Sequence, residues 1–186
     1  MINCRDAVLY IASITSGMRN EEVIGIEVGA WRKEVVDGVT YCWVITTEHK
    51  TGKGRVEYLV PELTLDALNL FAMCSTPMRR ELEAELSDLE LSPNSTDSAD
   101  LLLRLEKARK DSKRLFLCLN GSGNKTERVG HIEVLSAAGS NEAFKRLAKA
   151  AGSDWPLRTH QCRRTYARCF VESRMGRASL VFLKWQ

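Results

Sequence analysis

The sequence lacks the patterns that define membrane-spanning, secreted and zinc-binding proteins. No apolar run approaches the roughly 18–20 residues that cross a bilayer, and the first six residues do not resemble a signal peptide. Only three histidines are present and no two cysteines form a C-x-x-C pair, so a zinc site is not expected. These absences predict a cytoplasmic protein with no metal and no membrane partner. Its reduced cysteines are predicted to be small core residues: Cys4, Cys42, Cys74, Cys118, Cys162 and Cys169.

Three further absences concern the fold. There is no internal repeat, no low-complexity tract and no regular alternation of strands and helices, so a doubly wound sheet is not expected. Hydrophobic residues make up 44% of the 186 residues, which is enough to bury a core. The length fits one good-sized domain or two small ones, and we expect residues 1–186 to form a single domain.

The segment 30–61 is the part of the chain richest in β-forming residues. Asp37-Gly38 predicts a hairpin turn within it, and the TGKG sequence at 51–54 predicts a second turn before another strand. The remaining chain shows mainly helical spacing of apolar residues. The expected fold class is therefore α+β, mainly α, with a small three-stranded antiparallel sheet near the N-terminal part.

The helical spacing predicts where the helices lie. They are expected over residues 7–28 with a turn at Gly17, and over 63–73, 79–91, 99–110, 141–151, 159–174 and 178–185. Asn20 and Ser140 are the predicted N-caps of two of these helices. A short strand is expected at 115–119.

Positive charge is unevenly distributed, although the net charge is only +3. Residues 157–186 contain seven Lys and Arg and a single acidic residue, Glu172, whereas the other residues comprise 20 basic and 23 acidic ones. This asymmetry favours a polyanion-binding surface near the end of the chain. A solvated basic helix would show the same pattern.

The segment GMRNEE places Arg19 at the start of a predicted helix. Glu22 follows three residues later, where its carboxylate can hold the Arg19 guanidinium. An ordinary surface Arg–Glu pair would have the same spacing, so this segment alone does not define a site.

Two other segments carry candidate site residues. HKTGKG places Lys50 and Lys53 in a turn between two strands, and THQCRRTYA places His160 and Arg163 on one face of a helix. A turn lysine and a basic helix surface are the ordinary interpretations. Together, however, two arginines, a lysine and a histidine suit a phosphate in a reaction. Arginine binds phosphate oxygens in bidentate fashion and keeps its charge, while Lys and His transfer protons. No carboxylate cluster indicates a two-metal site, so metal-free phosphoryl transfer is favoured.

The order of these segments resembles the catalytic domain of the tyrosine recombinases, also called phage integrases. Gly17, Arg19 and Glu22 match the first arginine box of that family, and Lys50 matches its hairpin lysine, with Lys53 as the alternate. His160 and Arg163 match the H-x-x-R box, which Thr165 and Ala167 continue. The resemblance covers nearly the whole chain. Arg164 replaces the usual His, and the segment 79–113 is longer than compact members need.

The resemblance implies strand breakage and rejoining of double-stranded DNA through a 3′-phosphotyrosyl link, with no cofactor. Arg19 and Arg163 would bind the phosphate, Lys50 would be the general acid and His160 would assist proton transfer. Glu22 would orient Arg19. Active members of the family work as homo-tetramers on DNA, so a homo-oligomer is the implied assembly.

The nucleophilic tyrosine of the family has no counterpart in these residues. Counted from Arg163, the family's His or Trp box would fall near Gln186 and the tyrosine beyond it. Tyr166 is the only later tyrosine, and we expect it to pack in the core. The family's N-terminal core-binding domain has no counterpart either, because the first box begins at Gly17. We therefore expect a catalytic-type domain that is inactive on its own.

Two alternatives stay open. The chain could be a non-catalytic DNA-binding or accessory module that keeps the fold, which differs in whether the gene continues past Gln186 into a Gly-His box and a tyrosine. It could also be an unrelated helical protein whose segments match by chance. In that case Arg19 and Arg163 need not lie near one another.

Overall fold

Seven helices and five strands form the part of the chain that the computed structural model describes, which is residues 2–48, 52, 54–91, 99–119 and 132–173. The helices are α1 Ile2–Ser16, α2 Asn20–Ile24, α3 Glu62–Cys74, α4 Thr76–Leu91, α5 Ala99–Ser112, α6 Ala137–Ala150 and α7 Thr159–Glu172. The strands are β1 Trp31–Val36, β2 Val39–Glu48, β3 Gly54–Val60, β4 Leu117–Leu119 and β5 Ile132–Val134. The predicted mainly helical α+β class is confirmed.

The first three strands form an antiparallel sheet in the order β1-β2-β3. The β1–β2 turn is the predicted Asp37-Gly38 pair, whose φ angles of 52° and 77° are both positive, as a type I′ turn requires. At the other end of β2, Glu48 pairs with Gly54 of β3. The predicted site residues Lys50 and Lys53 lie between these two positions and outside the described residues.

Strand β2 has one buried face and one more exposed face. Cys42, Val44, Thr46 and Glu48 are all buried, as expected for alternate residues that point to the same side of a sheet. The first two are apolar and pack in the core, whereas the last two are polar. The buried face of the sheet therefore changes from apolar to polar as β2 approaches Glu48.

Helix α1 packs against α3, α6 and α7 and lies at the centre of the main core. Its buried apolar residues Val8, Leu9 and Ala12 follow helical spacing. Aromatic rings complete the packing around it. Tyr10 meets Phe144 of α6 edge to face, with ring centroids 5.7 Å apart. This packing brings the end of α1 close to α7.

Helices α4 and α5 pack on the second sheet, β4–β5, and form a separate smaller core. Its buried residues are Met78, Leu82, Leu86, Leu105, Ala108, Leu117 and Ile132. Its two helices lie almost wholly in the segment 79–113, which was expected to be longer than compact members of the resembled family need, whereas its two strands lie beyond that segment. None of its residues enters the site described below.

Several predicted helix ends are wrong by a few residues. Helix α1 begins at Ile2 and not at residue 7, and α4 begins at Thr76 and not at 79. The N-cap of α6 is Ser136, whose Oγ accepts a bond of 3.0 Å from the Gly139 amide, and not Ser140. Strand β5 was not predicted, and the predicted helix 178–185 lies outside the described residues.

The cysteine prediction is correct for only part of the set. Cys42 and Cys162 are buried, and burial raises the pKa of the Cys162 thiol to about 11. Cys4, Cys74 and Cys118 are half-buried beside the main core, whereas Cys169 is exposed. All six are free thiols.

Across the described ranges, no helix has both the length and the apolar composition that crossing a membrane demands.

Candidate functional site

Arg19 lies in the short turn between α1 and α2. Gly17 ends α1 with a φ of +65°, a left-handed conformation that suits glycine. Met18 is buried in the main core and anchors the turn there. Arg19 is the N-cap of α2 and has extended backbone angles, which corrects the prediction that Asn20 caps this helix. These constraints set where the Arg19 side chain leaves the backbone.

The Glu22 carboxylate is buried and accepts three hydrogen bonds. Its Oε2 accepts from the backbone N–H of Arg19 at 2.7 Å and from the hydroxyl of Tyr58 at 2.9 Å, and its Oε1 accepts from Nη1 of Arg19 at 2.8 Å. The first of these bonds satisfies one of the unpaired donors at the helix start. Glu22 therefore links the turn, the guanidinium and strand β3.

A second carboxylate, that of Glu48, also holds Arg19. Glu48 Oε1 accepts a hydrogen bond from the same Nη1 atom, and the side chains of Glu22 and Glu48 are each only 3% exposed. We call the four residues Arg19, Glu22, Glu48 and Tyr58 the Arg19 network. The hydrogen bond with Glu22 is the main cause that raises the pKa of Arg19 above its ordinary value. Its positive charge is therefore permanent.

The anchoring of Arg19 leaves one edge of its guanidinium available. Both carboxylates bind Nη1, whereas Nε and Nη2 donate to none of the residues that the structure describes. The Arg19 side chain as a whole is 34% exposed. Nε–H and Nη2–H point in nearly the same direction, which is the arrangement that binds two oxygens of one phosphate or carboxylate.

Helix α7 reaches the same region through Tyr166. A methyl group added at Gly17 would lie 2.5 Å from Cδ1 of Tyr166, so the aromatic ring packs directly on this glycine. Tyr166 was expected to pack in the core, but its side chain is only half-buried and is not part of the main core. Arg163 lies one turn earlier on the same face of α7. The contact therefore places the H-x-x-R helix beside the turn that carries Arg19.

The charge of Arg163 acts on the Arg19 network. Burial is the main cause that raises the pKa of Tyr58 far above its ordinary value, and the negative charge of Glu22 raises it further. The Arg163 guanidinium opposes this and lowers the pKa of Tyr58. Within the described residues Arg163 forms no ion pair of its own. Arg163 is half-buried, and its positive charge lies close enough to Tyr58 to act on the Arg19 network.

The other predicted site residues are less closely associated. His160 lies on the exposed side of the first turn of α7, and no hydrogen bond to another described residue involves its ring. Lys50 and Lys53 are outside the described residues. The structure thus brings Arg19 and Glu22 into contact and places Arg163 where its charge acts on Tyr58, whereas His160 contacts none of these residues through a hydrogen bond within the described ranges.

Glu48 and Tyr58 are members of the network that the sequence did not single out. Each is the polar residue at an alternate, inward-facing position of its strand, after Val44 and Thr46 on β2 and next to Val56 on β3. A charged or hydroxylated side chain in such a buried row is a signal of a functional or structural network. The alternation along β2 and β3 was visible in the sequence, but the contact of these side chains with Arg19 and Glu22 was not.

No group of three or more His, Cys, Asp or Glu side chains in the described ranges is arranged to hold a metal ion. The arrangement around Arg19 instead combines the fixed charge of Arg19 and the charge of Arg163 on helix α7 with two buried carboxylates. It can bind an anion, and it can bind a phosphate with geometric selectivity.

Comparison with known proteins does not assign the chain to a family. No family model matches the chain, and no curated protein matches it. Its function is therefore inferred from the residues and the geometry of the site.

Proposed function

We propose that these residues form the DNA-binding catalytic domain of a site-specific tyrosine recombinase, an integrase that acts in DNA integration and recombination. The observation that supports the proposal is that the Arg19 turn, the end of strand β2 and helix α7 lie beside one another. The GMRNEE turn supplies Arg19, the end of β2 supplies Glu48, and α7 packs Tyr166 on Gly17 and carries Arg163, whose charge acts on Tyr58. A chance match of the GMRNEE and THQCRRTYA segments would not require them to meet.

In the proposed reaction, the two arginines bind one DNA phosphate. The free Nε–Nη2 edge of Arg19 donates to two non-bridging oxygens, and Arg163 donates from the α7 side. Preorganised donors of this kind stabilise the charge that accumulates on the phosphoryl oxygens in the transition state. Each charge-assisted bond contributes about 1.5–3 kcal/mol. The two arginines are therefore the largest contributors that this chain supplies.

The remaining roles concern protons. A tyrosine oxygen attacks the phosphorus, the bond to the 5′ oxygen breaks, and Lys50, or alternatively Lys53, gives that oxygen its proton. His160 assists at the nucleophile or hydrogen-bonds the phosphate. Rejoining is the reverse step with another 5′-hydroxyl, so the bond energy is retained in the phosphotyrosine and no cofactor takes part. The partner is double-stranded DNA, on which full-length members assemble as tetramers.

Substitution of Arg163 tests the proposal, and substitution of its neighbour Arg164 on the same helix is the control. Arg163→Ala should weaken binding to a short fluorescein-labelled DNA duplex about tenfold, because it removes a charge-assisted contact to phosphate. Arg164→Ala removes the same charge from the adjacent, exposed position of α7 and should weaken binding no more than about threefold. Fluorescence anisotropy measures both, at one fixed salt concentration.

The salt dependence of DNA affinity gives a second comparison of the Arg163→Ala and Arg164→Ala variants. Loss of one phosphate contact should reduce the slope of log affinity against log salt by about 0.9 in Arg163→Ala. Arg19→Lys keeps the positive charge but lacks the Nε–Nη2 edge, so it should weaken DNA binding about as much as Arg163→Ala while changing the salt slope less. Equal effects of Arg163→Ala and Arg164→Ala would count against the proposed site.

These 186 residues should bind DNA without forming a covalent adduct. The chain has four tyrosines, and the two near the site already make other contacts. The Tyr58 hydroxyl donates to Glu22, and the Tyr166 ring packs on Gly17. Incubation with nicked duplexes that trap a 3′-phosphotyrosyl link, followed by denaturing electrophoresis, should show free DNA only. A band of covalent protein–DNA adduct would disprove this prediction.

The alternative is a non-catalytic DNA-binding or accessory module that keeps this fold. One observation favours it: Nη1 of Arg19 is held by two buried carboxylates, so the charges of Arg19 and Arg163 are balanced by Glu22 and Glu48. Such a balanced group could serve stability alone. In that case the Arg163 and Arg164 variants would bind DNA equally well.

A further inference from the structure

Glu48 is a buried carboxylate to which the proposed reaction gives no role. Its side chain is 3% exposed and faces inward at the end of β2. Burial of a carboxylate is unfavourable unless it is paired, and a negative charge beside a phosphate site opposes phosphate binding by Coulomb repulsion. A purely electrostatic design of this site would not contain Glu48. Its presence indicates a geometric role.

We propose that Glu48 is a positioning residue that holds the Arg19 guanidinium in the orientation needed to bind phosphate; this inference rests on the proposed function. Nη1 carries two hydrogens, and Glu22 and Glu48 each accept from it. Glu22 belongs to helix α2 and Glu48 to the sheet, so the two acceptors approach from different elements. One acceptor would leave the guanidinium free to turn about that bond. Two acceptors fix its plane and therefore the direction of the Nε–Nη2 edge.

The same contact joins two parts of the proposed site. Glu48 pairs with Gly54 in the β2–β3 register, so these two residues bracket the segment that contains Lys50 and Lys53. The bond from Arg19 to Glu48 therefore fixes the last residue of strand β2 relative to the guanidinium. Thr46 strengthens the junction, because its hydroxyl donates to the Glu22 carbonyl oxygen at 2.7 Å. Glu48 thus positions the end of strand β2 as well as the Arg19 guanidinium.

Two substitutions of equal charge separate positioning from electrostatics. Glu48→Gln and Glu48→Ala both remove the negative charge, but only Gln keeps an acceptor for Nη1. We expect Glu48→Gln to bind inorganic phosphate about tenfold more tightly than Glu48→Ala, the effect of one hydrogen bond. The probe is inorganic phosphate at constant ionic strength. The signal is the Nε–H resonance of Arg19 in arginine-labelled protein, identified by its loss in Arg19→Lys.

The phosphate-free spectra test the anchoring by themselves. The Arg19 Nη–H signals should be separate and sharp in the wild-type protein and in Glu48→Gln, and averaged by rotation about the guanidinium bonds in Glu48→Ala. Glu34→Gln is the matched control, because Glu34 pairs with Arg32 on the exposed surface of the same sheet and should leave the Arg19 signal unchanged. An Arg19 signal that is the same in all these proteins, with equal phosphate affinity in the two Glu48 variants, would overturn the inference.

The outcomes distinguish this inference from the proposed function. If phosphate moves no Arg19 signal in the wild-type protein, the proposed phosphate site is wrong, while the phosphate-free spectra still decide whether Glu48 anchors Arg19. If phosphate binds equally well to the wild-type protein, Glu48→Gln and Glu48→Ala, the phosphate site stands and the role of Glu48 is wrong. Glu48→Asp covers the case in which Glu48→Ala does not fold. It keeps the charge but withdraws the carboxylate by one methylene, and a sharp Arg19 signal in it would also overturn the inference.

Discussion

Replacement of Gly17 with alanine is expected to lower the free energy of unfolding by about 3 kcal/mol. The φ of +65° at this position costs an L-residue roughly 1–2 kcal/mol. The new methyl group would also lie 2.5 Å from Cδ1 and 2.9 Å from Cε1 of Tyr166, so the ring must move and the packing between α1 and α7 must adjust. Overpacking of this kind typically costs about 1–3 kcal/mol. Urea unfolding followed by circular dichroism measures the sum.

Gly152 offers a matched control for the backbone contribution. Its φ is +67°, almost the same as that of Gly17, but a Cβ there would meet nothing within 4 Å. Gly152→Ala should therefore cost only the backbone strain of about 1–2 kcal/mol. The double variant Gly17→Ala/Tyr166→Ala should lose less stability than the two single variants added together, since removal of the ring removes the clash. Strict additivity, or equal losses at Gly17 and Gly152, would contradict the packing explanation.

The same substitution has a consequence for the site. Arg163 lies one helical turn before Tyr166, so displacement of the ring shifts the helix that carries the second arginine. DNA binding by Gly17→Ala should weaken in the same direction as in Arg163→Ala. Under the proposed function, Gly17 would be the glycine of the first arginine box, and the contact with Tyr166 gives a physical reason for a glycine at that position. A side chain there would separate the two arginine-bearing segments.

Local features of the structure were predictable from the sequence because they depend on neighbours in the chain. The Asp37-Gly38 turn follows from the positive φ angles that a two-residue hairpin needs. The contact of Glu22 with Arg19 follows from the three-residue spacing at a helix start. Both depend on contacts within four residues, and the sequence contains the information for such contacts.

The parts that were missed depend on how distant segments pack. Glu48 and Tyr58 join Arg19 only because the sheet lies against α2, and helical or strand spacing does not report that arrangement. Ser136 caps α6 although Ser140 has the same chemistry, because the helix begins at Ala137, soon after strand β5 ends at Val134. The short strand that places this start was not predicted. Strand β5 has three residues, too few to show an alternating pattern.

Glu22→Ala is expected to destabilise the protein by about 3 kcal/mol. The substitution removes the acceptor of three hydrogen bonds, and it leaves the buried Tyr58 hydroxyl and the Arg19 amide without their partner. Loss of one member of a buried ion pair typically costs 3–5 kcal/mol. Arg19 keeps 34% of its side chain in water and still has Glu48, so we expect the lower end of this range. Denaturant unfolding at neutral pH measures the loss.

Tyr58→Phe measures the contribution of the Tyr58 hydroxyl to the free energy of unfolding separately from that of the Arg19–Glu22 ion pair. It removes one donor and leaves a ring of nearly the same shape, so it should cost only about 1 kcal/mol at neutral pH. The pKa of Tyr58 is raised in the folded protein, so its contribution is fully present below the unfolded value of about 10 and is lost as the pH rises above it. The difference in stability between wild type and Tyr58→Phe should therefore shrink above about pH 10. A constant difference through that range would mean that the hydroxyl does not need its proton to hold Glu22, and the hydrogen-bond account of the Arg19 network would be wrong.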